Sequence, residues 1–151
     1  IMRNGELPAE LEHHLILTEP LIAVVHKDHP LNMLAEGELT FQHLADQPFV
    51  FFSKDVGTSL YDDILGQLKA QGITPFITQE VGEPLTIIGL VAAGLGISIL
   101  PASYLRIQVE GVRYLRFGNL HGTTQLWLVN HATRPLTAAT RAFMALLHRD
   151  D

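Results

Sequence analysis

The sequence predicts an α/β fold with a mixed or parallel sheet. Short apolar runs alternate with amphipathic helical stretches at βαβ spacing. Residues 79–103, QEVGEPLTIIGLVAAGLGISILPAS, read in order as a strand end, a tight turn, an apolar helix, a glycine exit and an apolar strand. Residues 60–71 form a second helix pattern between two strand patterns and stop at Gly72.

The elements follow in chain order. Ile1 and Met2 read as the last residues of an apolar strand whose beginning lies outside the sequence, and residues 3–10 as turn material. Leu11–Leu17 and the β-branched run Leu21–Val25 predict two strands. HKDHPL at 26–31 turns the chain at Pro30. Thr40 is placed to cap a short helix over 41–45, with Leu39 and Leu44 spaced as a hydrophobic staple. Phe49–Phe52 predicts a sheet strand. Thr58 or Ser59 can cap the next helix, where Asp62 and Asp63 suit the amino end and Leu60, Tyr61, Ile64, Leu65 and Leu68 share one broad face. Residues 73–81, with Pro75 inside, resemble an edge strand.

Pro84 suits a first helical turn, with Glu83 or Thr86 available to its free amides. Leu85, Ile88, Val91 and Ala92 keep three- and four-residue spacing, and Ile87, Leu90 and Leu95 widen that stripe until the helix is expected to be covered on most sides. Gly94 or Gly96 can end it in a left-handed conformation. Ile97–Leu100 is too short and apolar for a helix and predicts an interior strand closed by Pro101. Residues 112–117, VRYLRF, alternate as an edge strand does, and 124–129 is a strand anchored by Trp127. A final helix is expected over 136–148, with Ala139, Phe143, Leu146 and Leu147 as its apolar stripe and His148 and Arg149 favourable at its carboxyl end. The apolar elements at the two ends need partners, whereas residues 20–125 nearly close a core of their own.

Composition narrows the function. The chain has 151 residues, of which 47% are apolar, which argues against disorder. Ten Lys and Arg against 16 Asp and Glu leave a net charge of −6, unsuited to a broad nucleic-acid surface within this stretch. With no cysteine, thiolate catalysis and cysteine metal sites are excluded. No apolar run reaches the length of a membrane helix, and no signal peptide is recognisable.

The motifs argue for binding rather than chemistry. No serine stands in a GxSxG context. Glycines 89, 94 and 96 match neither a dinucleotide fingerprint nor a P-loop. Asp62 and Asp63 are explained by the helix amino end. Glu80 and Glu83 carry no mark of an acid or base. His26, Asp28 and His29 are explained by a solvated loop, so no metal site is assigned. Two polar corners remain, 53–59 and 82–86. Both precede helices, and both offer hydroxyls and backbone N–H groups to an anionic or polar ligand.

Several stretches, in this order, carry a family resemblance: EPLIAVVHKDHPL (19–31), LTFQHLADQPFVFF (39–52), QLKAQGITPFITQEV (67–81), LTIIGLVAAGLGISILPAS (85–103) and TRAFMALL (140–147). Together they resemble the C-terminal effector-binding (substrate-binding) domain of LysR-type transcriptional regulators. HKDHPLN and LVAAGLGISILPAS are most similar to members that sense aromatic-degradation intermediates or similar small acids.

The resemblance implies a periplasmic-binding-protein-like architecture of two Rossmann-like lobes joined by two crossover strands, here Thr18–Val25 and Thr124–Val129. The first lobe would be incomplete. Residues 1–18 would be its remnant, 19–125 the second lobe, and 126–151 the return strand and terminal helix of the first. The effector region maps onto Ser53, Gly57, Thr58, Ser59, Gly82, Glu83, Pro84, Leu85 and Thr86, with Gly94 near the helix exit. Thr18, Glu19 and residues 128–130, including Asn130, would line the floor.

Tyr61, Ile64, Leu65 and Leu68 lie on the helix through which members pair, and only the face left after covering the sheet could serve. The implied partners are a small effector, other copies of the chain in a dimer or tetramer, and DNA through an N-terminal winged helix-turn-helix outside this sequence. A cytoplasmic location is expected, with no cofactor and no membrane. A lobe of a periplasmic solute-binding protein is the alternative that shares the same fold physics. An enzyme on this architecture would need a convergent acid/base or Lys site that the sequence does not offer.

Overall fold

The structure, a computed structural model, describes residues 1–3, 8–55, 58–118 and 122–147; the side chains of Thr58 and Ser59 are outside that description. The chain divides into two compact units, Glu19–Thr124 and the pair of segments Ile1–Thr18 and Gln125–Asp151.

Unit Glu19–Thr124 holds the core. Its strands are the second half of β2 (Leu11–His26), β3 (Pro48–Phe52), β4 (Phe76–Val81), β5 (Ser98–Pro101) and β6 (Val112–Arg116). β3 and β4 are parallel, as expected when helix α1 (Thr58–Ala70) connects them. Helix α2 (Pro84–Ala92) then leads to β5, whose approach meets β3 in a parallel bridge, Phe49↔Ile97. Val50 N–H donates to the Ile97 carbonyl and Ile97 N–H to the Pro48 carbonyl, both at 2.8 Å. β5 and β6 pair antiparallel with opposite sides of β2. The lateral order is therefore β4-β3-β5-β2-β6, a mixed arrangement with β4 and β6 outermost.

The sequence accounts for this packing. Leu21–Val25 and Phe49–Phe52 are continuous apolar runs, and both are buried throughout. On α1, Ile64 and Leu68 are fully buried, and Tyr61 lies 5.3 Å from the Phe51 ring. The helix gives way to Gly72 at φ 76°, and Gly94 (φ 81°) follows α2 in the same way. Gly96 is required for a different reason. A Cβ there would stand 2.6 Å from the Pro48 carbonyl oxygen, so a larger residue must displace backbone where β5 meets β3.

Three expectations are corrected. α2 is not covered on most sides: Ile87, Ile88 and Val91 are buried, but Leu85 is 62% and Leu95 47% exposed. A nine-residue helix lying on one sheet has one buried face, whatever the apolar content of the other. Glu83 stands at the N-cap of α2 but makes no side-chain cap bond. Leu11–Leu17 and Leu21–Val25 are not separate strands but one 16-residue strand that runs through Pro20. Proline's fixed φ suits extended backbone, and the exposed Pro20 needs no ladder donor.

The short helix at 41–45 is a single 3₁₀ turn, Phe41–Leu44, whose Thr40 N–H donates to His43 Nδ1 at 3.1 Å. Leu39 and Leu44 are buried beside it.

In the other unit, β1 (Met2–Arg3) pairs antiparallel with β7 (Thr123–His131), which lies between β1 and β2 in the strand order. Trp127 meets His13 edge-on at 5.2 Å. Helix α3 is Ala138–Leu147, shorter than the expected 136–148, and Thr137 Oγ1 accepts the Thr140 N–H at 3.1 Å as its cap. His148 and Arg149 lie outside the described residues. α3 has no buried residue, and Phe143 and Leu146 on its stripe are 46% and 58% exposed. β2 and β7 each pass from one unit into the other.

Candidate functional site

The site is built by strand direction. β3 and β4 run parallel, with Phe52 opposite Val81 at their last residues. Ser53 N–H then donates to the Val81 carbonyl at 2.8 Å. The corner after β3, 53–59, and the corner after β4, 82–86, therefore start from adjacent backbone positions on one sheet edge. Open α/β sheets bind ligands at that carboxyl edge. β5 points the same way, so the turn after it, Ala102–Arg106, opens on the same edge.

Helix ends supply the donors. In α2, Pro84 has no N–H, and Thr86 and Ile87 both donate to the Glu83 carbonyl (3.1 and 3.2 Å). That leaves the Leu85 N–H without a helical acceptor. Ser53, Gly82 and Pro84 are half-buried, and Glu83, Leu85 and Thr86 are exposed. Gly57 lies outside the described residues; the backbone at Thr58 and Ser59 opens α1. Lys54 and Asp55 are exposed on the first corner. Exposed hydroxyl, amide and charged groups of this kind can hold a small polar molecule.

The third turn was missed in the sequence. Glu19, expected on a pocket floor, is buried, and its carboxylate accepts hydrogen bonds from Ser103 N–H (2.9 Å) and Ser103 Oγ (3.4 Å). It anchors the turn after β5 rather than standing free. A serine following LPA gives no local sign of a partner 84 positions away. Thr18 is exposed and belongs, like Asn130, to the other unit. Asn130 Nδ2 donates to Glu12 Oε2 at 3.3 Å, and its Oδ1 is buried without a partner.

The proposed pairing face loses two members. Ile64 and Leu68 are core residues with no exposed surface, because they are the face of α1 that covers the sheet. Tyr61 and Leu65 remain half-buried.

The histidines of the 26–31 loop serve local turns. His26 Nδ1 accepts the Asp28 N–H, and His29 Nδ1 accepts the Leu31 N–H, each at 3.1 Å. The His29 proton then sits on Nε2 and is donated to Gln47 Oε1 at 3.1 Å. Among the described residues no helix is long and apolar enough to cross a membrane.

Comparison with known proteins gives the lineage. The sequence profile of the LysR substrate binding domain matches residues 1–151. The chain is 48% identical over 143 residues to YnfL of Escherichia coli K12, an uncharacterized HTH-type transcriptional regulator, covering 95% of this chain and 48% of YnfL. It thus spans about half the length of that relative. Among solved structures, the effector binding domain of QuiR in complex with shikimate superposes with a TM-score of 0.81 at 27% identity, covering 97% of this chain and 68% of that one. The BenM effector binding domain with its effector benzoate gives 0.79 at 24% identity, covering 95% and 68%, which bears on the fold alone. The fold is the α/β, two-lobed, periplasmic-binding-protein-like architecture with two connecting strands. The chain belongs to the LysR substrate binding domain family.

Proposed function

We propose that this chain is the ligand-sensing part of a LysR-type transcriptional regulator and that its effector is a small carboxylic acid. The observation that carries the reading is the start of the 53–59 and 82–86 corners side by side, fixed by Phe52↔Val81 and the Ser53–Val81 hydrogen bond. Backbone amides at helix starts hold a carboxylate without a catalytic group. The effector-binding domains of QuiR and BenM hold shikimate and benzoate, both small acids, which supports the same ligand class here.

The contact residues of this reading are Ser53, Gly57, Thr58 and Ser59 on one corner and Gly82 to Thr86 on the other. Thr18, Glu19 and Asn130 contribute from the connecting strands, Glu19 by fixing the Ser103 turn. Residues 19–125 form the second lobe, and 1–18 with 126–151 contribute to the first. The effector favours one of two pre-existing arrangements, and the difference in its contacts between them is the coupling energy. The full-length protein acts in the cytoplasm as a dimer or tetramer and reaches DNA through an N-terminal helix-turn-helix.

Isothermal titration calorimetry of the full-length protein against benzoate, shikimate and related acids tests this. Saturable heat from at least one acid, abolished when the 82–86 corner is replaced by an alanine-rich helix start, is the expected result. No heat from any acid contradicts it.

A further inference from the structure

The lateral edge farthest from the corners has a different character. β6 pairs with β2 along Ile22↔Arg116 to His26↔Val112, and among the described residues no strand pairs with its other side. Four strand spacings, roughly 19 Å, separate β6 from β4. A free strand edge is a template for one more strand; here the Val112 N–H is already held by the Val109 carbonyl at 3.3 Å, and the backbone groups of Tyr114 and Arg116 face outward.

Two cavities flank this edge. One, about 320 Å³, is lined by Leu31, Leu34, Leu39 and Leu115, with Glu36 and Arg116. The other, about 460 Å³, takes in Leu105, Val109, Val112 and Arg113, with Lys27 and Glu110. Tyr114 lines both. The first contains the consecutive residues 114–116 and the second 112–114. Neighbouring residues of a strand point to opposite faces, so each cavity wraps the strand edge instead of lying on one face. An added strand sends its side chains to both faces in the same alternation.

The charge on this edge selects among occupants. The strand VRYLR carries two cations and no anion, and exposed Lys27 extends it, in a chain whose net charge is −6. Arg113 and Arg116 are exposed. A second copy paired antiparallel about Tyr114 would gather four arginines along the joint, with Arg113 diagonal to its own copy, which opposes pairing. An acidic strand meets the opposite situation. Beside Arg113, Tyr114, Leu115 and Arg116, the complementary order is acid, apolar, apolar, acid. That order reads the same in both chain directions.

We propose that the β6 edge is a docking site for an extended acidic–apolar–apolar–acidic segment of another protein, added as a sixth strand with its apolar pair in the two cavities. The proposal is independent of the effector site, which lies at the carboxyl ends of other strands. The test uses the full-length protein and a fluorescein-labelled peptide with the sequence Ser-Glu-Val-Val-Glu-Ser. Fluorescence anisotropy should show saturable binding, and hydrogen exchange should slow at amides within 112–116. Charge reversal in Arg113→Glu plus Arg116→Glu should weaken binding by at least about tenfold. Each single reversal should show part of that loss, which keeps the test valid should the double variant misfold. A peptide with lysines for glutamates, or with proline replacing one valine, should not bind, and acid binding at the corners should be unchanged.

The proposal is overturned by no binding, by equal affinity in the reversed variants, or by equal binding of the lysine or proline peptide. Binding without protection at 112–116 overturns it as well. So does self-association of the free protein through β6, or occupation of one cavity by a small amphiphile in the peptide's place.

Discussion

The two units use the same amphipathic code with opposite results. In Glu19–Thr124, the apolar residues of β2, β3, α1, α2 and β5 cover one another, and the hydrophobic core cluster lies wholly within this unit, from Leu21 to Leu100. Within this stretch of sequence, Leu15, Leu17, Phe143 and Leu146 of the segments 1–18 and 125–151 stay exposed, although α3 carries as clear a stripe as α1. A stripe marks which face of a helix will be covered; the cover has to come from another surface. Only where two such surfaces occur in one unit does the pattern become stability.

The largest expected effect separates the units directly. In urea-induced unfolding of the 1–151 chain by itself, Phe51→Ala, which empties a fully buried site, should cost about 3–5 kcal/mol, and Phe143→Ala in α3 less than about 1 kcal/mol. Equal losses would break the comparison. A smaller effect sharpens it. Gly96→Ala drives a Cβ toward the Pro48 carbonyl oxygen at the β3–β5 joint and should cost about 1–3 kcal/mol, the usual range for overpacking. A neutral result would mean the joint yields more than its backbone hydrogen bonds suggest.

The smallest effect concerns pH. Burial raises the Tyr114 hydroxyl above its ordinary value of 10.0, and the hydroxyl donates to the Ile107 carbonyl at 2.6 Å. The folded state then holds this proton more tightly than the unfolded one. The contribution is complete below about pH 10 and is lost as pH rises through the folded value. Tyr114→Phe should flatten that alkaline part of a stability profile, and an unchanged profile would contradict the assignment.

Local patterns made much of the fold legible. The βαβ alternation, the Thr40 cap, the Gly72 and Gly94 exits and the edge character of VRYLRF are all local features, and each forms as its residues dictate. Long-range features stayed hidden. Nothing in TEP distinguishes a break from a continuous strand, because proline is compatible with both. Nothing near Ser103 announces Glu19. The exposure of Leu85 could not be read from a helix apolar on most sides, since composition does not say how many sides have neighbours. For the site, the two corners were visible as polar stretches before helices, and their adjacency required the parallel register of β3 and β4.

That adjacency is the central claim, and hydrogen exchange of the full-length protein tests it most directly. With the carboxylic acid that gives the largest calorimetric heat, amides in 53–59 and 82–86 should slow together while those in 112–116 keep their rates. Tight binding of that acid with neither corner protected would contradict the account.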